Sequence, residues 1–362
     1  MTSSKAAVFD GHAGQLRLQT FPVPRPRGGE MVVRVLGATL CGSDLHSFDG
    51  RRHVPVPTIL GHEIVGEIIS FGETATRTDL GGQPLTFGDR ITWAIVASCG
   101  HCLMCQRGLP QKCLQGTKYG HETIRPGREL LGGLAEHCLL VEGTAAVKLP
   151  ETLPLSVACP ASCATATIAA AMEAAGTLTG RHVCVIGAGM LGLTACAMAR
   201  AFGADPIVCI DPIAGRRDQA ARFGATHAVS PDQLLDTAQA VSSDGRFDVV
   251  IELSGKTAAL DLAWPLLRTG ATLVLVGAVF PDAPVSWAPE QIIRRHLTIR
   301  GIHNYAPHHL LTAIQFLAAQ HHSVLFAELV SQWYPLDNAL EAFAAAANPA
   351  TIRVGVSCDA ST

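Results

Sequence analysis

The chain has 362 residues, of which 16% are charged and 48% hydrophobic, with 35 glycines and a formal net charge of −3. This length exceeds one typical domain and predicts two lobes, each with its own core. The composition excludes a disordered chain, and the weak net charge excludes a basic field that would attract nucleic acid or an anionic membrane.

No targeting or membrane segment is evident. The N-terminus, MTSSKAAVFDGHAG, lacks an apolar signal region, and apolar runs such as ATLVLVGAVF are far shorter than the roughly 20 residues of a membrane span. We therefore expect a cytoplasmic protein without membrane or nucleic-acid partners. In that compartment the twelve cysteines are expected as thiols or metal ligands, not disulfides.

The first 150 residues contain short β-branched or alternating runs separated by Gly, Pro and Asp, among them AAVFD, EMVVRVLGATL and EIVGEIISFG. This pattern predicts a barrel-like β domain carrying long loops. From about residue 150 strands alternate with helices, as in HVCVIGA, MLGLTACAMARAFG and PIVCIDP, which predicts a doubly wound parallel sheet. The segment TIRVGVSC near the end predicts a strand that returns to the first domain.

A glycine turn follows the first strand of the alternating region. Gly187, Gly189 and Gly192 form G-x-G-x-x-G directly after a strand and at the start of a helix, a pattern that admits a pyrophosphate at the helix N-terminus. Asp211 ends the next strand, where a carboxylate accepts ribose hydroxyls and repels a 2′-phosphate. NAD is therefore favoured, although Arg216 and Arg217 follow and could accept that phosphate.

Four cysteines, Cys99, Cys102, Cys105 and Cys113, lie within fifteen residues as C-x₂-C-x₂-C-x₇-C. Such spacing lets four thiolates surround one zinc ion, and a site with four protein ligands has no open position, so it would be structural. A redox C-x-x-C pair is the alternative, but three cysteines in register with a fourth argue against it.

A second, dispersed group completes a family resemblance. TLCGSDLH and ILGHEIVGEI, taken with the four-cysteine lobe, the glycine turn and the C-terminal strand, closely resemble the zinc-dependent medium-chain alcohol dehydrogenases over essentially the whole length. The resemblance implies a GroES-like catalytic domain (1–160, first part), a Rossmann NAD-binding domain (161–298), a return to the catalytic domain (299–362), and assembly as a homodimer or homotetramer. It also implies two zinc ions per chain, one catalytic and one structural.

Site residues follow from that resemblance position by position. Cys41 and His62 are implied ligands of the catalytic zinc, with Glu63 as a carboxylate neighbour that can ligate. Cys163 is preferred over Cys159 as the third protein ligand because it precedes Thr167 by four, which matches the family's Cys-x₃-Thr beside the nicotinamide. Further implied cofactor contacts are Met190, Leu191, Val276, Gly277 and Arg353; a solvated Arg353 is the alternative.

The resemblance also implies a proton relay through Ser43 and His46, and Asp44 as the carboxylate that fixes the tautomer of His62. A helix N-cap is the alternative role for Asp44, and a plain surface histidine is the alternative for His46. His303 could touch nicotinamide or a neighbouring subunit.

The substrate is less evident. Within the family the chain looks most like the branch proposed to accompany phosphonate catabolism, which would imply a hydroxyphosphonate or another small polar alcohol. Arg51, Arg52, Lys118 and His121 could hold an anionic group near the zinc, although a solvated basic loop is the plainer interpretation.

Three rival interpretations remain. A polyol or amino-alcohol dehydrogenase is the runner-up, but such enzymes often use a carboxylate as third ligand, where this sequence offers only cysteines. A non-catalytic nucleotide- or zinc-binding protein on the same fold would be expected to have lost the catalytic ligands. This sequence retains Cys41, His62, Glu63 and the candidate Cys163. A zinc-free quinone reductase would lack both cysteine sets.

Overall fold

The computed structural model describes residues 3–280, 282–319 and 325–358. The chain divides into two compact units: residues up to 166 together with those from 306 onward form the first, and residues 167–305 form the second. The predicted boundaries, 160/161 and 298/299, precede these crossings by a few residues.

The strands are, in chain order, β1 (Ser3–Phe9), β2 (Arg17–Pro22), β3 (Met31–Thr39), β4 (Thr58–Ile59), β5 (Glu63–Phe71), β6 (Arg90–Trp93), β7 (Val96–Ala97), β8 (Thr117–Lys118), β9 (His137–Leu140), β10 (Ala146–Lys148), β11 (Val183–Ile186), β12 (Ile207–Ile210), β13 (His227–Val229), β14 (Phe247–Glu252), β15 (Leu267–Leu275), β16 (Thr298–Gly301), β17 (Val330–Pro335) and β18 (Arg353–Ser357).

The α-helices are α1 (Gly42–Phe48), α2 (Leu103–Gln106), α3 (Leu155–Ala158), α4 (Ala164–Ala175), α5 (Met190–Ala201), α6 (Ala214–Arg222), α7 (Leu234–Val241), α8 (Thr257–Ala263), α9 (Pro289–Arg294), α10 (Pro307–Ala318) and α11 (Ala339–Ala346). Short 3₁₀ turns span Pro110–Lys112, Cys159–Ser162, Pro231–Gln233, Trp264–Leu266 and Leu336–Asn338.

The first unit is built on β-sheets, as its sequence predicts. A seven-stranded sheet has the order β10-β6-β5-β3-β18-β17, with β9 also paired to β3, and a three-stranded sheet has the order β2-β1-β4. The C-terminal strand β18 pairs antiparallel with β3, which confirms the predicted return of the chain. Because β5, β3 and β18 are neighbours, residues from the beginning and the end of the chain meet at one edge of this sheet.

The second unit is a parallel six-stranded sheet of order β13-β12-β11-β14-β15-β16. All four residues of β11 and of β12 are buried, as expected for parallel strands covered on both faces. The strand order reverses between β11 and β14, and ligands of such sheets bind outside the carboxyl ends of the strands at this point. The predicted Rossmann fold is thus confirmed, and it places the glycine turn where a dinucleotide would bind.

In the described part of the chain, no single helix is long and apolar enough to cross a membrane. One bent pair, residues 155–162 with 164–175, reaches that length and composition, and most of its residues are buried within the protein.

Candidate active site

Four potential metal ligands converge in the first unit. Cys41 follows β3, His62 and Glu63 open β5, and Cys163 stands between a 3₁₀ turn and α4. One ligand atom from each of the four residues lies within 4.8 Å of all the others. The sequence places Cys41 and Cys163 more than a hundred residues apart, and the fold brings their Sγ atoms to 3.9 Å.

The imidazole of His62 has a fixed orientation. Asp44 Oδ1 lies 3.2 Å from His62 Nδ1 and also accepts the Gly61 N–H, while Oδ2 accepts the Cys41 N–H. Nδ1 therefore donates to Asp44, and Nε2 is the ring nitrogen that faces the ligand cluster. The N-cap of α1 is Cys41 and not Asp44; Asp44 is the third residue of the helix, and its side chain accepts the Cys41 N–H as part of a capping box.

The electrostatics of this cluster suit a cation. A hydrogen bond from Cys163, opposed by burial and helped by the Arg353 charge, holds the pKa of Cys41 well below its usual value. Burial lowers the pKa of His62, but the Asp44 carboxylate and the Cys41 thiolate raise it to about 10. The donor set of thiolate sulfurs, an oriented imidazole and an adjacent carboxylate is one that zinc accepts, so the residues fit a zinc ion.

Glu63 is wholly buried and held by two partners. Its Oε2 accepts the Thr39 hydroxyl at 2.6 Å, and the Arg353 guanidinium contacts both carboxylate oxygens at 3.1 Å. Burial raises the pKa of Glu63 to about 7, against the opposing effect of Arg353 and Thr39. Arg353 Nη2 also lies 3.6 Å from Cys41 Sγ, so this cation links the carboxylate to the thiolate.

The four-cysteine lobe forms a second cluster. Sγ–Sγ distances are 3.5 Å for Cys113–Cys99, 3.6 Å for Cys102–Cys105, 3.8 Å for Cys102–Cys113 and 4.0 Å for Cys99–Cys105. Four zinc–sulfur bonds of roughly 2.3 Å in a tetrahedron would place sulfurs about 3.8 Å apart. The observed separations match that geometry and are too long for disulfides.

Backbone N–H groups also point at these sulfurs. Cys99 N donates to Cys113 Sγ and Cys102 N donates to Cys99 Sγ, each at 3.3 Å, and Leu114 N lies 3.5 Å from Cys102 Sγ. Hydrogen bonds from the Cys105 and Leu114 N–H groups lower the pKa of Cys102 to about 6. These N–H groups stabilise Cys102 as a thiolate, whereas burial and the neighbouring thiols raise the pKa of Cys105 to about 12.

The glycine turn in the second unit has the form that a dinucleotide needs. A Cβ on Gly192 would overlap the carbonyl oxygen of Gly187, so the helix can only approach this turn because Gly192 has no side chain. A Cβ on Gly189, the N-cap of α5, would instead meet open space. Met190 and Leu191 open that helix, where free N–H groups can face a phosphate.

Asp211 stands directly after β12 and is 4% exposed. Its Oδ2 accepts the Ala188 N–H and its Oδ1 accepts the Ile213 N–H, both at 2.8 Å, which fixes the carboxylate against the glycine turn. Arg217 Nη1 donates to the carbonyl oxygens of Asp211 and Pro212, so a guanidinium lies at the same strand tip.

Glu252, a buried carboxylate, was not among the residues selected from the sequence. Its Oε1 accepts the Ser254 hydroxyl at 2.8 Å and the Gly255 N–H at 2.6 Å, and its carbonyl accepts N–H bonds from Val276 and Gly277. It therefore joins the turns after β14 and β15. The signal available in the sequence was an acidic residue that ends the apolar run FDVVIE and is followed, after Leu253, by Ser254 and Gly255.

The other predicted residues have varied positions. Ser43 Oγ is 3.4 Å from His62 Nε2, and His46 lies half-buried on the same helix α1. Thr167 is a buried residue of α4, and His303 is exposed beyond β16. Arg216 is half-buried on α6. Thr39, which holds Glu63, was also missed, because a threonine ending a strand carries no distinctive signal.

The predicted substrate cations differ in their surroundings. Arg51 is exposed and paired with Asp49 at 2.6 Å, whereas Arg52 and Lys118 are half-buried. The His121 ring is buried 5.3 Å from the His62 ring, measured between centroids.

Comparison with known proteins decides the family. Residues 27–151 match the alcohol dehydrogenase GroES-like domain and residues 191–319 match the zinc-binding dehydrogenase domain. Geraniol dehydrogenase of Castellaniella defragrans is 32% identical over 319 residues, which covers 83% of either chain. The chain belongs to the zinc-dependent medium-chain alcohol dehydrogenases. It is accordingly an oxidoreductase that acts on CH–OH groups with zinc and a nicotinamide cofactor.

Other members of the family support the same assignment. L-threonine 3-dehydrogenase of Edwardsiella ictaluri is 29% identical over 288 residues, covering 78% of this chain and 79% of that one. An alcohol dehydrogenase structure from Thermotoga maritima superposes with a TM-score of 0.92 at 27% identity, covering 99% and 100% of the two chains. A chain from Sinorhizobium meliloti 1021, described as a zinc-binding dehydrogenase bound to NADP, gives a TM-score of 0.84 at 25% identity with the same coverage.

Proposed function

We propose that this dehydrogenase catalyses reversible hydride transfer between the carbinol carbon of a small polar alcohol and NAD. The observation that carries the proposal is the convergence of Cys41, His62, Glu63 and Cys163 within 4.8 Å, with His62 oriented by Asp44. This convergence supports the proposal because it gathers the donor atoms that a catalytic zinc ion needs.

Cys41, His62 and Cys163 would hold the catalytic zinc, with Glu63 beside them as a carboxylate that can join the ligands. Zinc bound there supplies Lewis acidity that makes an alcohol hydroxyl easier to deprotonate. Two thiolates give the ion soft ligands, and Asp44 holds the Nδ1 side of His62, so that Nε2 is the nitrogen presented to the ion and is made a more basic ligand. Cys99, Cys102, Cys105 and Cys113 would hold the structural zinc.

Ser43 and His46 are the residues we assign to proton movement. The Ser43 hydroxyl lies 3.4 Å from His62 Nε2, next to where a substrate oxygen would approach the ligands. His46 follows three residues later on α1, so both side chains occupy the same side of the helix. A proton accepted at Ser43 Oγ could therefore leave toward His46 and solvent.

The cofactor is proposed to be NAD, bound by the glycine turn with Asp211 at the ribose. A fixed carboxylate at this strand tip accepts ribose hydroxyls and repels a 2′-phosphate. The further proposed contacts to the cofactor are Arg353, Thr167, Val276 and Gly277. Arg217 is the group that would favour NADP if its attraction for a 2′-phosphate exceeded the repulsion from Asp211.

Hydroxyphosphonates are the substrates that we propose to test first within the class of small polar alcohols. The alternative is an amino alcohol, favoured by the names of relatives such as L-threonine 3-dehydrogenase. A panel of hydroxyphosphonates, L-threonine, sorbitol, geraniol and simple primary alcohols, assayed with NAD⁺ and with NADP⁺ on zinc-loaded protein, separates these cases. Absence of NAD- or NADP-linked turnover with every alcohol would overturn the proposed function.

Self-association and location are proposed in the same way. Strand β16 is the last in the six-stranded sheet and is mostly exposed, and Ile293 nearby is 72% exposed. Exposed strand edges are ready templates for pairing, which supports a homodimer or homotetramer; light scattering on the purified protein would give its mass.

Twelve cysteines without a disulfide support a cytoplasmic location.

A further inference from the structure

Two cationic residues, Arg52 and Lys118, are carried by segments that lie next to the metal-ligand residues. The Arg52 N–H donates to the carbonyl of His46, so the chain after α1 folds back along the helix that carries Ser43. The Lys118 carbonyl accepts the His121 N–H, which closes a tight turn between the four-cysteine lobe and the metal ligands. These backbone hydrogen bonds fix the main-chain positions of Arg52 and Lys118.

The turn that carries Lys118 packs directly on the loop of His62. A Cβ on Gly120 would lie 2.7 Å from the Gly61 carbonyl oxygen and 3.2 Å from His62 Cβ. The ring of His121, the next residue, is tilted by 51° to the His62 ring, with 5.3 Å between their centroids. Lys118 is therefore a neighbour of the catalytic cluster, and its electrostatic interaction with the Cys163 thiol agrees with that position.

The carboxylates near these cations are already engaged elsewhere. Glu63 is held by Arg353 and Thr39, and Asp44 is held by His62 and two backbone N–H groups. Glu122 accepts the backbone N–H of Lys118 and not its ammonium. Among the residues that the structure describes, neither Arg52 nor Lys118 has a carboxylate partner.

Such an arrangement is unfavourable without a ligand. Burial and repulsion from the Arg52 guanidinium lower the pKa of Lys118 to about 8. Two half-buried cations that repel each other are stabilised when an anion lies between them, because charge-assisted hydrogen bonds replace the repulsion. Arg51, in contrast, is already neutralised by Asp49 in solvent.

His121 has a different part in this group. Its Nδ1 lies 2.9 Å from the Tyr119 carbonyl oxygen and so donates to it, which leaves Nε2 as an acceptor. An acceptor is suited to a hydroxyl or to a protonated anion, so His121 is better placed to orient a substrate than to neutralise its charge.

We propose that Arg52 and Lys118 form an anion-binding subsite beside the catalytic cluster, and that the substrate is an alcohol bearing a phosphonate or carboxylate group. The proposal rests on the proposed dehydrogenase function and narrows its substrate class. It assigns the charge recognition to Arg52 and Lys118 and excludes Arg51 from it.

The test uses three substrates of similar size: 2-hydroxyethylphosphonate, 3-hydroxypropanoate and 1-propanol. In Arg52→Met and Lys118→Met, which keep the apolar stems, kcat/KM for an anionic substrate should fall roughly 10- to 100-fold, the range expected for losing one charge-assisted hydrogen bond. Any loss on 1-propanol should be at least several-fold smaller, because that substrate carries no charge for the subsite to bind. Whichever anion gives the larger wild-type kcat/KM identifies the group that the subsite accepts.

Arg125→Ala, which removes an exposed cation from the loop beyond His121, is the charge-matched control and should change neither substrate class. Arg51→Ala should leave the preference for the anion intact. Equal losses on the anionic and neutral substrates, a loss in Arg51→Ala as large as in Arg52→Met, or a wild-type preference for 1-propanol over both anions would overturn the subsite.

A binding measurement separates failure of the subsite from failure of the proposed function. Calorimetry with methylphosphonate and with acetate on the purified protein should detect binding of one of them that Arg52→Met and Lys118→Met weaken. If no alcohol is oxidised but this binding is found, the function is wrong and the subsite stands. If alcohols are oxidised but neither anion binds, the subsite is wrong.

Discussion

The guanidinium of Arg353 donates hydrogen bonds to both carboxylate oxygens of Glu63, from Nε to Oε2 and from Nη2 to Oε1, each at 3.1 Å. The two residues are 290 positions apart and both are buried, at 7% and 0% exposure. The contact exists because β18 returns to lie against β3, whose Thr39 is the register partner of Glu63 on β5. The end of the chain thereby supports the metal-ligand cluster.

Arg353→Met should lower the free energy of unfolding by about 3–5 kcal/mol, because it leaves a buried carboxylate without its counter-charge. Arg353→Lys should recover only part of the loss, since an ammonium cannot hold both oxygens. Urea denaturation measures the change.

The pair Arg34–Glu67 on the same two strands provides a matched control. It joins at 2.9 Å but is about one-third exposed, so Arg34→Met should cost only about 0–1 kcal/mol. If Arg353→Met were no more destabilising than Arg34→Met, Glu63 would not depend on Arg353 for its charge balance.

Cys163→Ala and Cys159→Ala should separate the two candidate ligands near the domain crossing. Cys163 Sγ lies 3.9 Å from Cys41 Sγ, whereas Cys159 Sγ lies 3.3 Å from the carbonyl oxygen of Gly37, within the core. We expect zinc analysis to fall from about two ions per chain to about one in Cys163→Ala and to stay at about two in Cys159→Ala. The reverse pattern would assign the ligand to Cys159.

Local patterns in the sequence predicted the parts of this molecule that depend on short-range geometry. The spacing of Cys99, Cys102, Cys105 and Cys113 predicted one cluster because all four fit within a few turns of chain. The glycines after β11 predicted a nucleotide-binding turn because each of them removes a specific clash or leaves a specific space open. The alternation of strands and helices predicted the Rossmann fold because each strand and each helix has its own local hydrophobic pattern.

Contacts between distant segments could not be predicted in this way. No local feature of Arg353 indicates that its partner is Glu63, which is 290 positions away in the sequence. The segment KTAALDLAWPLLRTG lies where the strand–helix alternation calls for a helix, but α8 ends at Ala263 and β15 begins at Leu267. Pro265 explains the break, because its ring cannot continue the helical hydrogen bonds.

Cys102→Ser should remove the structural zinc and lower thermal stability before it affects hydride transfer. The Cys102 sulfur contacts the sulfurs of Cys105 and Cys113 and accepts an N–H bond, so its loss opens the tetrahedron. We expect about one zinc ion fewer per chain and a lower melting temperature.

His101→Ala is the control for this lobe. His101 is exposed between two of the cysteines, and its Nδ1 contacts only the Cys99 carbonyl oxygen at 2.8 Å, so the variant should keep its zinc. An intact melting temperature in Cys102→Ser together with selective loss of turnover would contradict a structural role for the cluster.

Asp211→Asn should shift cofactor preference from NAD toward NADP. The variant removes the charge that repels a 2′-phosphate and strengthens ribose hydrogen bonds, and its NH2 group cannot accept one of the two backbone N–H bonds that Asp211 accepts. We expect kcat/KM for NAD⁺ to fall roughly 10- to 100-fold, the range for charged hydrogen bonds, while NADP⁺ is used better. Asp218→Asn, on the exposed side of α6, should change neither value; a wild-type preference for NADP⁺ would refute the role of Asp211.

Glu252→Ala should weaken cofactor binding although Glu252 is wholly buried. The carboxylate holds Ser254 and Gly255, and a Cβ on Gly187 would lie 3.1 Å from Ser254 N, so this turn supports the first glycine of the nucleotide turn. Loss of two hydrogen bonds should raise the Kd for NADH roughly tenfold or more, read by its fluorescence.

Glu252→Gln, which keeps an acceptor for the same two donors, should recover most of the NADH affinity lost in Glu252→Ala. Asp248→Asn on the same strand provides the comparison, because Asp248 bonds to His182 and Arg268 away from the glycine turn. That variant should reduce stability without changing the Kd for NADH. If Asp248→Asn weakened NADH binding as much as Glu252→Ala, the effect would belong to the sheet as a whole and not to the link between its turns.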